Sequence, residues 1–239
     1  MSLPFFYTVP ISSANNMVVL NEENSKHIVQ VLRMAEGRQL KLTDGLGNVY
    51  IAEITDAHKK KCTVKIIETT VVKPAAHKVC IAISPVKNNS RLEWFLEKAT
   101  EIGVREIVLL MCERTEKQHI RLDRINNILI SAMLQSQQAW LPVLNEPIKF
   151  EKFINANKSA NLYIAHCEEH NKTSLKELSG QSTNQLINHS TILIGPEGDF
   201  TIEEIAQALN NKYIPVTLGN TRLRTETAAL VAATLLCIN

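Results

Sequence analysis

The sequence predicts an α/β fold, in which a parallel β-sheet with helices on both faces follows a small β-rich domain. Short apolar runs alternate with segments of helical spacing from Val79 to the C-terminus, a pattern typical of βαβ units. Before that point, two alternating runs flank a turn at residues 44–48, which predicts a hairpin. Residues 69–77, which include Pro74, read as a linker. We therefore predict domains at 1–72 and 73–239.

The first domain is predicted to be a small, partly closed β domain with one helix. Residues 39–43 and 49–54 alternate apolar and polar side chains on either side of the turn, and residues 62–67 supply another strand. Helical spacing just before the hairpin predicts a helix, and it is carried by His27, Ile28, Val31 and Leu32.

The second domain is predicted to alternate strands and helices. Strands are expected at 79–86, 106–112, 161–165, 191–194 and 214–218. Helices are expected at 92–102, at about 122–133, after Thr201 and at about 226–237. Thr201 with Glu204 three residues later forms a capping box, and Thr225 is expected to be the N-cap of the last helix.

Composition narrows the class of protein. The net charge of +2 neither requires nor excludes a nucleic-acid partner. The five cysteines show no C-x-x-C spacing, and neither they nor the histidines have the spacing of zinc ligands, so we expect buried, reduced thiols and no metal. The chain has no signal-peptide pattern and no apolar run of membrane-spanning length. A cytoplasmic protein without a membrane partner is expected.

Two loops near the C-terminus carry a concentration of polar and glycine residues. Ile194-Gly195-Pro196-Glu197-Gly198 follows one predicted strand, and residues 218–228 follow the next. Ligands of parallel α/β sheets bind at the carboxyl ends of the strands, so the two loops should line one pocket. The segments contain neither a P-loop nor the G-x-G-x-x-G spacing of dinucleotide-binding folds.

Arg222 and Arg224 lie just before the last predicted helix. Cations at a helix N-terminus oppose the helix dipole, so these arginines suggest an anionic partner nearby. The alternative is a salt bridge with Glu197 or Glu226, and the spacing alone favours neither.

Segments along nearly the whole chain match, in order and spacing, the motifs of one family. They are His27-Ile28-Val29-Gln30-Val31-Leu32-Arg33-Met34, Gly37, Asp44-Gly45, Glu97-Lys98-Ala99-Thr100-Glu101-Ile102-Gly103-Val104, Glu113-Arg114-Thr115 and the two C-terminal loops. By these segments the chain resembles the RsmE-type methyltransferases of the SPOUT superfamily, which methylate N3 of a uridine in 16S ribosomal RNA.

The resemblance implies a PUA-like RNA-binding β-barrel followed by a knotted methyltransferase domain, with the C-terminal chain tied in a trefoil knot. It also implies a homodimer that acts on 16S rRNA in the small ribosomal subunit. S-adenosyl-L-methionine would lie in a pocket built by three loops. The residues implied to hold it are His166, Ile194, Gly195, Pro196, Gly198, Leu218, Gly219, Leu223 and Thr225.

The same resemblance supplies catalytic and RNA-binding candidates. Uridine N3 becomes a good nucleophile only when its proton leaves, so Arg224 is expected to steady the anionic base, and Glu197 or Glu226 to accept the proton or orient Arg224. The RNA-binding candidates are Lys26, Arg33, Arg91, Lys98 and Arg114. For Lys26 and Arg91, the alternative is a solvated helix face.

The chain departs from the family pattern in three segments. Pro4 stands where an arginine is common, Leu134-Gln135 and Gln138 take the places of a Glu-Gln pair and a following arginine, and Asp199 replaces a usual second glycine. Two further interpretations stay open. One is a knotted methyltransferase that acts on another RNA, and the other is a non-catalytic ribosome-assembly factor that kept the fold.

Overall fold

The computed structural model describes residues 3–12, 16–116, 120–169, 171–180 and 188–238. The chain divides into two compact units. One consists of Met1–Pro74 with Met133–Leu141, and the other of Ala75–Ala132 with Pro142–Asn239.

The first unit is built on a five-stranded mixed sheet. Its strands are β1 (Phe5–Tyr7), β2 (Met17–Val19), β3 (Gln39–Thr43), β4 (Asn48–Asp56) and β5 (Thr63–Val71), in the order β1-β3-β4-β5-β2. Strand β1 pairs with β3 in parallel, and the other pairs are antiparallel, so the predicted hairpin is β3–β4. The buried Asp44 carboxylate accepts hydrogen bonds from the backbone N–H groups of Leu46 and Asn48, which fixes the turn between them.

The predicted helix of this unit begins earlier than its apolar spacing indicated. Helix α1 spans Glu22–Lys26, and Asn21 caps it by accepting a hydrogen bond from the backbone N–H of Asn24. The chain continues as a π-helix at His27–Val31. The wider turn of a π-helix explains why a 3.6-residue pattern described this segment only in part.

The second unit contains a parallel sheet, as the sequence predicted. Its strands are β6 (His77–Ile83), β7 (Glu106–Met111), β8 (Val143–Lys149), β9 (Asn161–Ala165), β10 (Thr173–Ser174), β11 (Asn188–Ile194) and β12 (Ile214–Thr217). They follow the order β10-β12-β9-β11-β6-β7-β8, and every neighbouring pair is parallel. Its helices are α2 (Asn89–Ile102), α3 (Leu122–Gln135), α4 (Phe150–Ala156), α5 (Leu175–Gly180), α6 (Ile202–Asn210) and α7 (Thr225–Cys237).

Helices cover both faces of this sheet. On one face, Ala82 and Leu193 share a buried cluster with Phe150 of α4 and Ile205 of α6. On the other face, Val79, Ile81 and Ile83 of β6 are buried, as are Ile107 and Leu109 of β7. Helix α7 contacts β6, β11 and α2. Because alternate strand residues point to opposite faces, burial on both sides explains the unbroken apolar runs that identified these strands.

The two predicted helix starts have different outcomes. At α6, the Thr201 hydroxyl accepts from the backbone N–H of Glu204, and the Glu204 carboxylate accepts from that of Thr201, so the capping box is confirmed. At α7, the prediction of Thr225 as N-cap is wrong by one residue. Arg224 is the N-cap, with extended backbone and no side-chain cap hydrogen bond, and Thr225 is already helical and buried.

Within the described residues no helix has the length and apolar character needed to cross a membrane.

Candidate active site

The carboxyl ends of three adjacent strands surround one cleft in the second unit. Strands β12, β9 and β11 are neighbours in the sheet, and the loops that leave them line a cavity of about 810 Å³. His166 and Cys167 come from the β9 loop, residues 194–197 and Asp199 from β11, and residues 216–226 from β12. The two C-terminal loops singled out in the sequence therefore meet, with the β9 loop between them.

Most of the predicted site residues lie along this cleft. The three catalytic candidates Arg224, Glu197 and Glu226 all line it, and so does Arg91. Among the cofactor candidates, Gly198 is absent from the lining, whereas the others line it: His166, Ile194, Gly195, Pro196, Leu218, Gly219, Leu223 and Thr225. Lys98 and Arg114 belong to the same unit but not to the lining, and Lys26 and Arg33 belong to the first unit.

Close packing explains the first glycine of the β11 loop. A Cβ atom on Gly195 would lie 3.1 Å from two ring carbons of Phe200 and 3.2 Å from its backbone nitrogen. Phe200 is almost fully buried and packs against Phe150 with 5.5 Å between the ring centroids. A side chain at position 195 would therefore disturb the core beneath the loop.

Open space surrounds the glycine of the β12 loop. Gly219 has a φ of +141°, and a Cβ atom placed on it would meet nothing within 4 Å. The Thr217 hydroxyl donates to the Gly219 carbonyl and accepts from its N–H, which closes a small ring at the end of β12. The glycine leaves room for a ligand beside this backbone.

The two acidic candidates have different surroundings. Glu197 is exposed, and its Oε1 accepts a hydrogen bond of 3.0 Å from the backbone N–H of Lys87. Glu226 is buried, and its Oε1 lies 3.6 Å from Nε of Arg91 at the start of α2. The proposed salt bridges of Arg222 and Arg224 are therefore absent from the described residues, in which both arginines are exposed and make no ion pair or hydrogen bond with their side chains.

The Glu113-Arg114-Thr115 motif binds its own chain. The backbone N–H of Glu113 donates to Glu204, and the guanidinium of Arg114 donates to the carbonyl of Gly198 at 2.7 Å. The Thr115 hydroxyl accepts from the backbone N–H of Cys112 and shares a 2.8 Å hydrogen bond with Ser84. Arg114 therefore supports the β11 loop from outside the cleft.

The other RNA-binding candidates differ in how they are engaged. Lys98 donates to Glu97 and Glu101 on its own helix, and Lys26 pairs with Glu22 at 2.7 Å. Arg33 is exposed and has a φ of +52°, a left-handed conformation that is uncommon for a side chain other than glycine.

Sequence reasoning missed several residues that line the cleft. Among them are Cys167, Lys172 and Asp199, of which Asp199 was noted only as a departure from a family pattern. Cys167 also corrects the expectation of buried thiols, because it is exposed. The thiols of Cys62, Cys80 and Cys112 are buried, as expected. Cys237 is partly buried, and this burial raises the pKa of its thiol to about 12. The available signal for Cys167 and Asp199 was their place in the loops that leave β9 and β11.

Family comparisons agree with this geometry. The model of an RNA methyltransferase domain matches residues 73–237, and that of an RNA methyltransferase PUA domain matches residues 20–67. Ribosomal RNA small subunit methyltransferase E of Rickettsia conorii is 28% identical over 91% of this chain and 88% of its own length.

Solved structures give the same result. A probable rRNA-methyltransferase from Porphyromonas gingivalis is 37% identical, with a TM-score of 0.88 over 99% of each chain. Ribosomal RNA small subunit methyltransferase E from Neisseria gonorrhoeae, bound to S-adenosyl methionine, is 27% identical, with a TM-score of 0.83 over 98% of this chain and 96% of the other. By its matched domains and its fold, the chain belongs to the RNA methyltransferase family that carries a PUA domain and includes ribosomal RNA small subunit methyltransferase E.

Proposed function

We propose that this chain is an S-adenosylmethionine-dependent methyltransferase that methylates N3 of a uridine in the 16S rRNA of the small ribosomal subunit. The observation that carries the proposal is the cleft at the ends of β9, β11 and β12, at which two exposed arginines stand beside two carboxylates. The names of the relatives and the cofactor bound to the Neisseria gonorrhoeae protein support the same reaction.

The residues of the cleft fit the cofactor. At Gly195 and Gly219 the wall of the cleft is formed by backbone without a side chain, and Leu218 and Leu223 add apolar side chains. A flat nucleoside needs backbone hydrogen-bonding groups and apolar cover, and these residues offer both. When bound, S-adenosylmethionine supplies a methyl group activated by its sulfonium. The protein's part is then to bind, orient and stabilise charge.

The arginines suit a base that becomes anionic. Uridine N3 must lose its proton before it can accept a methyl group, and the negative charge that develops is stabilised by a fixed cation. Arg224 caps α7 at the cleft and has no ion-pair partner among the described side chains, so its charge is available for this role.

The surroundings of the two carboxylates favour Glu197 as the proton acceptor. Glu197 is exposed in the cleft, and among the described residues its Oε1 accepts from the backbone N–H of Lys87 while its Oε2 has no hydrogen-bond partner. Glu226 is buried beside Arg91, so its proposed role is to hold the first turn of α7 and the neighbouring Arg224 in place. A proton acceptor must reach the substrate, and Glu197 meets that condition better.

The proposal also covers the partners of the enzyme. We propose that Arg33 contacts rRNA phosphates, because its exposed guanidinium makes no ion pair among the described residues. Arg91 is a second candidate, because it lines the cleft and its ion pair with Glu226 is long, at 3.6 Å. Lys26, Lys98 and Arg114 are weaker candidates, since each already binds groups of its own chain. The trefoil knot, the homodimer and the cytoplasmic location remain part of the same proposal.

The test is methyl transfer from labelled S-adenosylmethionine to small ribosomal subunits that lack uridine-N3 methylation, followed by nucleoside analysis. The expected product is 3-methyluridine. Replacement Arg224→Gln should lower kcat by roughly 10²–10³-fold, the usual effect of losing one charge-stabilising group, with little change in cofactor affinity. Arg121→Gln is the matched control, because Arg121 is exposed in the same unit and lies outside the cleft lining.

The outcomes separate the alternatives. Cofactor binding without 3-methyluridine would point to another RNA or another position on the base. If the protein neither binds the cofactor nor forms 3-methyluridine, the result would favour a non-catalytic assembly factor and overturn the proposed reaction. Near-normal turnover of Arg224→Gln on bound subunits would contradict the role given to that arginine.

A further inference from the structure

One peptide group in the cleft is held by charged side chains at both of its polar atoms. The carbonyl oxygen of His166 accepts a hydrogen bond of 2.7 Å from Nζ of Lys172. The N–H of Cys167, which belongs to the same peptide group, donates a hydrogen bond of 2.7 Å to Oδ2 of Asp199. Hydrogen bonds with a charged partner are shorter and stronger than neutral ones.

Asp199 adopts a left-handed backbone conformation that is uncommon for residues other than glycine. Its φ is +64°, in the left-handed region that glycine enters more readily. The N–H of Asp199 donates to the Pro196 carbonyl, and its Oδ1 accepts from the N–H of Phe200. The carboxylate therefore uses both oxygens, one for its own loop and one for the neighbouring loop, which offsets the strained backbone.

Lys172 approaches the same peptide from the far end of the same loop. It lies six residues after His166 and directly precedes β10, whereas Asp199 lies in the loop after β11. The Lys172 contact thus closes the β9 loop on itself, and the Asp199 contact joins it to the β11 loop. Lys172, Cys167 and Asp199 all line the cleft, so a shift of the His166–Cys167 peptide would change the shape of the cleft wall.

We propose that Asp199 and Lys172 are positioning residues that clamp the His166–Cys167 peptide, and so hold the β9 loop in the geometry that binds S-adenosylmethionine. The inference rests on the proposed function for the identity of the ligand. The clamp explains why aspartate is tolerated at a left-handed position: it replaces the conformational freedom of glycine with a contact between loops. A clamp formed before the ligand arrives lowers the cost of ordering the loop on binding.

The first experiment measures S-adenosylmethionine and S-adenosylhomocysteine affinity by calorimetry, without RNA, for Asp199→Gly, Asp199→Asn and Lys172→Met. Asp199→Gly should weaken binding roughly tenfold, about 1.4 kcal/mol, because the loop must be ordered on binding. Asp199→Asn should lose less, since its single amide oxygen can still accept from the Cys167 N–H, although the Phe200 N–H then loses its side-chain acceptor. Lys172→Met should also weaken binding several-fold.

The second experiment follows hydrogen exchange of the Cys167 amide in the ligand-free protein. Faster exchange is expected in Asp199→Gly, while the free energy of unfolding changes little, because glycine relieves the left-handed strain that the lost hydrogen bonds had offset. A purely structural role would lower stability and affinity together. Lys212→Gly is the matched control for strain, since Lys212 is exposed, has a φ of +66° and lies outside the cleft lining. Lys176→Met is the control for loss of an exposed lysine.

The results distinguish two failures. Wild-type protein that binds the cofactor, together with variants of equal affinity and unchanged Cys167 exchange, would overturn the clamp and leave the proposed function standing. Wild-type protein that does not bind either compound would overturn the proposed function and the clamp with it. Weaker binding in Asp199→Gly and Lys172→Met, with both controls normal, would support the clamp.

Discussion

Replacing Gly195 with alanine tests how the core shapes the cleft. The new Cβ would lie 3.1 Å from Cδ2 and Cε2 of Phe200, whereas carbon atoms in contact are ordinarily about 3.5–4.0 Å apart. Either the ring or the loop must therefore move by roughly half an ångström. Phe200 is only 1% exposed, so the ring has little freedom to move. Overpacking of this kind typically costs about 1–3 kcal/mol, and we expect the free energy of unfolding to fall by about 2 kcal/mol.

Urea denaturation measures that loss, and calorimetry with S-adenosylmethionine measures its effect on the cleft. Gly198→Ala is the matched control for stability, because its Cβ would lie 3.5 Å from the flexible Arg114 side chain, an ordinary contact. Phe200→Leu in the Gly195→Ala background removes the contact with the ring and leaves the 3.2 Å contact with the backbone nitrogen, so the two substitutions should destabilise less together than the sum of their separate effects. Gly195→Ala with wild-type stability, or strictly additive effects in the double variant, would refute the reasoning.

Three further substitutions probe the support of the site. Glu204→Ala leaves the backbone N–H groups of Thr201 and Glu113 without their acceptor, so urea unfolding should show a loss of about 2–4 kcal/mol, and a loss below 0.5 kcal/mol would contradict it. Arg114→Met frees the Gly198 carbonyl, so calorimetry should show weaker cofactor binding, while filter binding shows a smaller loss of RNA affinity. The pKa of His77 is lowered by burial and by the nearby His189, so the unfolded chain binds a proton more readily than the folded protein. The free energy of unfolding should therefore fall as the pH drops below about 6.5, the ordinary pKa of histidine. In urea titrations at pH 5–7, His77→Val should flatten this dependence.

The sheet of the second unit was predictable because burial on both faces produces unbroken apolar runs. Strands β6, β7, β9, β11 and β12 were all predicted, and the effect is clearest at β6, in which residues 79–83 are all buried, whereas β12 is partly exposed. Strand β8 was missed because it is an edge strand that contains Pro147 and is mostly exposed, so it has neither an apolar run nor a clean alternation. Strand β10 is missed for a simpler reason, since two residues carry no periodicity.

The cleft was predictable from topology, whereas the roles of individual residues were not. Loops at the carboxyl ends of neighbouring parallel strands must meet, so residues 194–198 and 218–228 were placed together correctly. The partner of Arg114 lies 84 residues further along the chain, and no local pattern reports a contact at that distance. A motif resemblance marks Arg114 as important, but it does not distinguish a residue that contacts RNA from one that supports a loop.

The arginines before α7 show how the structure narrows a choice that the sequence left open. They lie at the N-terminus of a helix, with Arg224 as the N-cap, and positive charges there are unfavourable without a compensating anion. Both candidate anions are engaged elsewhere, Glu197 by the Lys87 N–H and Glu226 by Arg91. Within the described residues the charges of Arg222 and Arg224 are therefore not neutralised at the mouth of the cleft. The unfavourable energy of that arrangement is released when an anionic ligand arrives, which favours a phosphate or a deprotonated base over a neutral ligand.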